Sequence, residues 1–266
     1  LHSHDVHAQN FPIMVQLLLA LPFVLALIGY ILAVIISNQH KKQWPHFRTI
    51  CWIVGNVCAL ITLIGPLAAL SHIHFDAHMI GHLLLGMLAP LLMALAAPMT
   101  LLLRTLPVNK ARILSRLLKN PYVRFIRHPI IASILNVGGL WLLYTTSLFN
   151  LMHEHILLYV LIHFHIFLAG YLFTIAFIYI DPTPHSYSYV FRSLTLVVAL
   201  AAHAILAKFI FANPPHHVPS TEAELGAKIM YYGGDAIEIL LVYILFYQWF
   251  KSTRNTIHPK AATSSR

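Results

Sequence analysis

The chain has 266 residues, of which 59% are hydrophobic and only 9% charged, with a mean hydropathy of +0.74. Soluble domains carry about 25% charge, so this composition describes a polytopic membrane protein built as one helical bundle. The formal charge of +9 does not point to nucleic acid, because the basic residues flank apolar stretches, where they set topology instead.

Residues 1–12 read as a polar outer tail that carries His2, His4 and His7 and no lysine. Apolar stretches of about 20 residues mark helices that cross a bilayer. They fall at 13–37, 50–71, 79–103, 130–149, 156–180, 191–212 and 226–250. The fold class is therefore all-α: a seven-transmembrane-helix domain over 13–250, followed by a basic tail over 251–266. An open sheet is excluded, since backbone groups in hydrocarbon must be satisfied within the spanning element. The first stretch is too long for a signal-peptide core, so no cleaved leader is expected.

Span 2 holds both cysteines, Cys51 and Cys58. Seven residues apart on a helix, they lie about 10 Å apart along the axis, too far to bridge, and they read as packing residues. Span 3 opens with His74, His78 and His82, each four residues apart and hence on one face. The loop after span 3 is strongly basic. Within it, Asn109 to Asn120 alternates apolar and basic faces like a short helix lying on anionic membrane lipid. Span 5 carries His163 and His165, which point about 200° apart on a helix, so at most one can face a shared site. Span 6 carries His203 among Ala201, Ala202 and Ala204, small residues that permit close helix packing. Span 7 carries Asp235 and Glu238 on one face, after Gly233 and Gly234.

All of the 17 lysines and arginines except Lys208 and Lys228 fall on one side of this layout. The positive-inside rule then puts the C-terminus in the cytoplasm and the N-terminus outside. Most of the 19 histidines fall on the opposite, outer side or in the outer half of the spans. His163, His203 and Asp235 each lie roughly 13 Å below the outer surface, at 1.5 Å per residue, and His82 is a little shallower. Ionisable groups inside a bilayer default to a functional role. Neutral imidazole is a common metal ligand, and several imidazoles with one carboxylate suit copper or zinc. Met79 and Met230 lie nearby and as soft donors favour cuprous copper. His72, Asp76, His153, His155, His216 and His217 sit in outer loops and read as a funnel that admits metal, or as solvated loop residues.

Other readings of the same residues stay open. Axial histidines on facing helices, such as His163 and His203, suit a haem-carrying electron-transfer protein. Intramembrane acids and histidines also mark metal and proton transporters, although few polar residues continue below Glu238 and no inverted repeat is visible. A hydrogen-bond network that only fixes helix packing is the third.

The stretch from His78 through Gly81-His82 to Leu85, with Ala89-Pro90 and Ala97-Pro98-Met99-Thr100 through Arg104, resembles the seven-span CtaG family. So do His128-Pro129, His155 and His163 ahead of Ala169-Gly170, His203, and Gly234-Asp235, over about residues 60–250. These proteins are assembly factors for caa-type cytochrome c oxidase. The resemblance implies a protein of the bacterial cytoplasmic membrane, not an enzyme, that binds a copper ion and delivers it to cytochrome c oxidase subunits. It supports His78, His82, His163, His203 and Asp235 as metal residues, while His72, His74 and His165 are extras beyond the family pattern; His74, His155, Met79 and Met230 are further candidates from the reading of the residues. Where the family often has another histidine, four residues before His163, this chain has Tyr159.

Overall fold

The computed structural model describes residues 13–257, except for the side chains of His40 and of residues 255–257. The tail with His2, His4 and His7, and residues 258–266 of the basic tail, lie outside the described residues. Every regular element among the described residues is helical. The spans are Ile13–His40 (span 1), His46–Leu63 (span 2), Phe75–Leu95 (span 3), Pro129–Thr145 (span 4), Ile156–Phe177 (span 5), Tyr189–Ala212 (span 6) and Ser220–Ile257 (span 7). Six are long and apolar enough to cross a membrane on their own. Span 4 joins them when it is counted with the short helix Leu148–Glu154, from which it is bent by 80°.

Three expected spans are cut shorter by backbone chemistry that hydropathy does not register. The stretch at 50–71 stops at Leu63, where Gly65 takes φ +89° and Pro66 opens a separate helix, Pro66–Ser71. A positive φ is a conformation that glycine adopts without steric cost, and proline is at home in a helix's first turn. The stretch at 79–103 begins earlier, at Phe75, and ends at Leu95. Ala97 then takes φ 52° and Pro98 starts the helix Pro98–Thr105. The stretch at 130–149 breaks at Thr146, which is extended. The amphipathic segment forms the helix Val108–Leu118 as expected and buries none of its residues.

Span 3 is the hub. It packs against spans 2, 5 and 7, and 67% of its apolar window is buried, against 33% or less for spans 1, 2, 5, 6 and 7. It also carries a π turn, Leu84–Leu88, centred on Gly86. Two residues beyond that turn, Pro90 has no N–H to give to the Gly86 carbonyl. Gly170 of span 5 sits so close to that carbonyl that a Cβ there would run into it. A second π turn, Ile134–Gly138, interrupts span 4. Such turns are frequent at functional sites.

Contacts between loops sort the two ends of the bundle. At one end, Arg104 donates to the Lys42 carbonyl (2.6 Å), Arg127 to Thr183 (3.3 Å) and Gln248 to the Tyr179 carbonyl (3.3 Å). The three basic loops and the end of span 7 thus share one face, the one the positive-inside rule assigns to the cytoplasm. At the other end, His74 meets Glu222 and His72 meets His153. That gathers the loops before spans 3, 5 and 7 into a histidine-rich face.

Candidate metal site

His82 is at the centre of the site. It lies two turns into span 3, 4% exposed, with its ring over Gly86 on the next turn. Across from it is His203 of span 6, also 4% exposed, with ring centroids 6.2 Å apart and planes inclined by 41°. His203 fits because Gly234 of span 7 has no side chain there; a Cβ would stand 2.6 Å from the His203 Cε1. Its Nδ1 pairs with the Glu238 Oε1 at 3.0 Å. Both nitrogens of His82 and the Nε2 of His203 are buried without a hydrogen-bond partner. A buried polar atom left idle costs about 1–3 kcal/mol, and these three nitrogens are gathered at one place between spans 3 and 6.

The space beside them is small. A cavity of about 30 Å³ is bounded by His82, His203, Glu238, Gly86, Asn136 and Thr174, among others. Roughly 10–15 Å³ is enough for one water, so the cavity suits a bare ion or a water. Metal–nitrogen bonds of about 2 Å are compatible with two imidazoles at the separation seen here. A carboxylate on the far nitrogen of His203 fixes that ring's tautomer and strengthens its other nitrogen as a donor. The residues therefore fit a metal ion at His82 and His203, with Glu238 behind.

The remaining expected ligands are placed differently. His78, one turn above His82, lies 3.1 Å by its Nε2 from the Tyr144 hydroxyl and packs among Phe75, Phe149 and His153. His163 is buried, but its Nδ1 is 3.0 Å from its own helix's Tyr159 carbonyl, and its ring lies 3.9 Å from the Tyr159 ring. Asp235 is half-buried and does not line the cavity; the carboxylate that reaches His203 is Glu238, three residues on. Among the described residues, His78, His82, His163, His203 and Asp235 do not bring three donor atoms within 4.8 Å of one another. The imidazoles are strung out instead. His72 and His153 have centroids 5.9 Å apart, His153 and His78 6.2 Å, and His82 and His203 6.2 Å.

The other candidates are also settled in place. Met79 and Met230 are fully buried in the core, Met79 beneath Gly226 of span 7. His155 is exposed at the start of span 5. His165, the partner of His163 that was expected to face away, is exposed and lies 3.0 Å by its Nε2 from the Leu135 carbonyl in the π turn of span 4. His72 packs on Tyr159. Burial, and then the neighbouring His153, push its pKa down to about 4, so it stays neutral and able to donate a lone pair near pH 7.

The sequence did signal Glu238, in a form easy to overlook. Gly234 and Glu238 are four apart and share a face, and Gly234 is the residue that lets His203 approach. Asp235 is turned about 100° from that face. Asn136 gave no such signal; it lines the cavity from the π turn of span 4.

Fold and site together define a multi-pass, all-α membrane protein with histidines buried between its spans. Residues 28–252 match the family of cytochrome c oxidase caa3 assembly factors, Caa3_CtaG, and the chain belongs to that family. It is 27% identical over 243 residues to an uncharacterized protein of Mycobacterium leprae, covering 84% of this chain and 37% of that protein. It is 32% identical over 184 residues to uncharacterized proteins of Mycobacterium bovis and Mycobacterium tuberculosis, covering 66% of this chain and 28% of each. The chain thus spans little more than a third, or less, of the curated relatives it matches. No solved structure matches it.

Proposed function

We propose that this protein carries copper through the outer half of the bacterial cytoplasmic membrane and hands it to a cytochrome c oxidase during assembly, without catalysing a reaction. The single observation that supports this reading is the facing pair His82 and His203, with three idle buried nitrogens and Glu238 behind one ring. Family membership supplies the oxidase as the recipient. Two imidazoles beside a cavity of about 30 Å³ suit cuprous copper, which tolerates low coordination, and the Glu238 carboxylate holds the His203 ring in place as a donor.

The strung-out imidazoles suit a carrier better than a resident cofactor. Copper passing from the outer histidines to His78 and on to His82 exchanges one nitrogen donor for a similar one, so no step is strongly uphill. His78, held by Tyr144, and His163, held by a backbone carbonyl, are positioned as neighbours of the pair rather than as its ligands. A haem between His163 and His203 is disfavoured on size, because the cavity at His203 is about 30 Å³ and His163 does not line it.

The test is copper stoichiometry. Purified protein loaded with cuprous copper under reducing conditions is expected to retain the ion, and His82→Asn with His203→Asn to lose it while keeping its melting temperature. Cells carrying the double variant should yield oxidase depleted in copper. Full copper retention by a folded double variant would overturn the reading.

A further inference from the structure

A second cluster stands at the aqueous mouth of the bundle, where the starts of spans 3 and 7 meet. His74, Asp76 and Glu222 each offer one donor atom there, and the three atoms lie within 4.8 Å of one another. Among the described residues no other group of histidine, cysteine and acidic side chains does so. Two of the four carboxylate oxygens already have structural work. The Glu222 Oε2 accepts the Phe75 N–H at 3.0 Å, and the Asp76 Oδ1 accepts the Ala77 N–H at 2.9 Å. Both bonds tie carboxylates to the first turn of span 3, where the helix dipole favours them.

Capping does not explain the rest. The Glu222 Oε1 turns away from the backbone and lies 3.2 Å from the His74 Nδ1. Beside the trio opens a basin of about 310 Å³, with His74 and Glu222 in its wall and His72, His153, His216 and His217 around it. Five histidines in its lining make it rich in nitrogen donors.

We infer that His74, Asp76 and Glu222 form a docking site for a divalent transition-metal ion, with Cu²⁺ the tightest binder. Two carboxylates and a neutral imidazole carry a charge that one divalent ion cancels. The mixed nitrogen and oxygen set follows the order of affinity that peaks at Cu²⁺, while the imidazole disfavours Ca²⁺ and Mg²⁺, which take oxygen ligands. The buried pair at His82 and His203 has the opposite character, with imidazole donors only. The trio stands by itself as a metal site and does not rest on the copper reading above; it takes up and releases Cu²⁺ without a change of oxidation state.

The experiment uses the full chain in detergent micelles, with His2, His4 and His7 changed to Asn to silence the tail. Cu²⁺ is added without reductant and followed by electron paramagnetic resonance. One bound Cu²⁺ per chain is expected, with an oxygen-rich environment and coupling to a single imidazole nitrogen. Glu222→Gln, which keeps an oxygen for the Phe75 N–H, should weaken binding by more than an order of magnitude, and Glu222→Gln with Asp76→Asn should abolish it. His82→Asn with His203→Asn should leave this signal unchanged, so loss of cuprous loading in that variant tests the buried pair separately. Cu²⁺ binding that survives the double acid variant, or that vanishes only with His82 and His203, overturns the inference. So does a signal from several imidazoles that ignores Glu222, which would assign the ion to His216 and His217.

Discussion

The polar residues of the basic end and the facing pair His82 and His203 differ in what they hold. At the basic end they hold helices to one another. Asp181 accepts from the Met99 N–H (3.1 Å), the Thr100 N–H (2.7 Å) and the Thr100 hydroxyl (2.6 Å), so it caps Pro98–Thr105 from another part of the chain. Arg192 is 1% exposed, donates to the Phe177 carbonyl at the end of span 5 (2.6 Å), and lies over the rings of Tyr179 and Tyr189. Trp44 donates to the Tyr30 hydroxyl (3.0 Å), which donates to the Ala96 carbonyl (2.8 Å). At the histidine end, His82 is equally buried and holds nothing. What sets His82 and His203 apart is that three unpartnered nitrogens stand side by side at the edge of a cavity.

That contrast can be broken first at the scaffold between the ends. Gly170→Ala drives a methyl into the Gly86 carbonyl at the crossing of spans 3 and 5, against backbone that cannot yield. Overpacking costs about 1–3 kcal/mol in ordinary cores and more where backbone must move. The variant is expected to lose the folded bundle, read as the absence of a monodisperse peak after detergent extraction. A folded, stable Gly170→Ala protein would mean that spans 3 and 5 are further apart than described.

Glu238→Gln keeps a hydrogen-bond acceptor for the His203 Nδ1 and removes the charge. Loss of such an outer carboxylate lowers metal affinity by roughly 10–100-fold, measurable by competition with a cuprous chelator. The melting temperature without metal should barely change. The mirror experiment at the basic end is Asp181→Ala, which removes three hydrogen bonds. It should cost about 2 kcal/mol of stability and leave copper affinity alone. If Asp181→Ala lowered copper binding as much as Glu238→Gln does, the division between a holding end and a binding end would not stand.

The sequence made the fold legible because hydrocarbon allows few solutions: long apolar runs must be helices, and basic loops must share a side. The loop contacts of Arg104, Arg127 and Gln248 bear out that shared side. The breaks were harder to see. Gly65 and Ala97 take positive φ and break the helix inside stretches that stay apolar, so a hydropathy window runs through them. In the site, His82 and His203 were readable from depth and small neighbours. Depth alone, however, put His163 and His78 in the same group, and what separates them is a hydrogen bond to Tyr159 or Tyr144 that only the folded geometry supplies.

Asp235 provides the smallest expected effect and the closest test of how the site is read. It follows the two glycines and lies at the depth of the histidines, which made it the natural choice of carboxylate. On a helix, though, one residue is a turn of about 100°. Gly234 faces His203, so Glu238, four residues on, faces it too, and Asp235 does not. Asp235→Asn should therefore change copper affinity less than twofold, while Glu238→Gln changes it more than tenfold. Both variants lose one negative charge from the same helix at similar depth, so a general field effect would lower affinity equally in both. Only direct support of the His203 ring by Glu238 separates them. Equal losses would shift the carboxylate's role from orienting one imidazole to balancing the ion's charge at a distance.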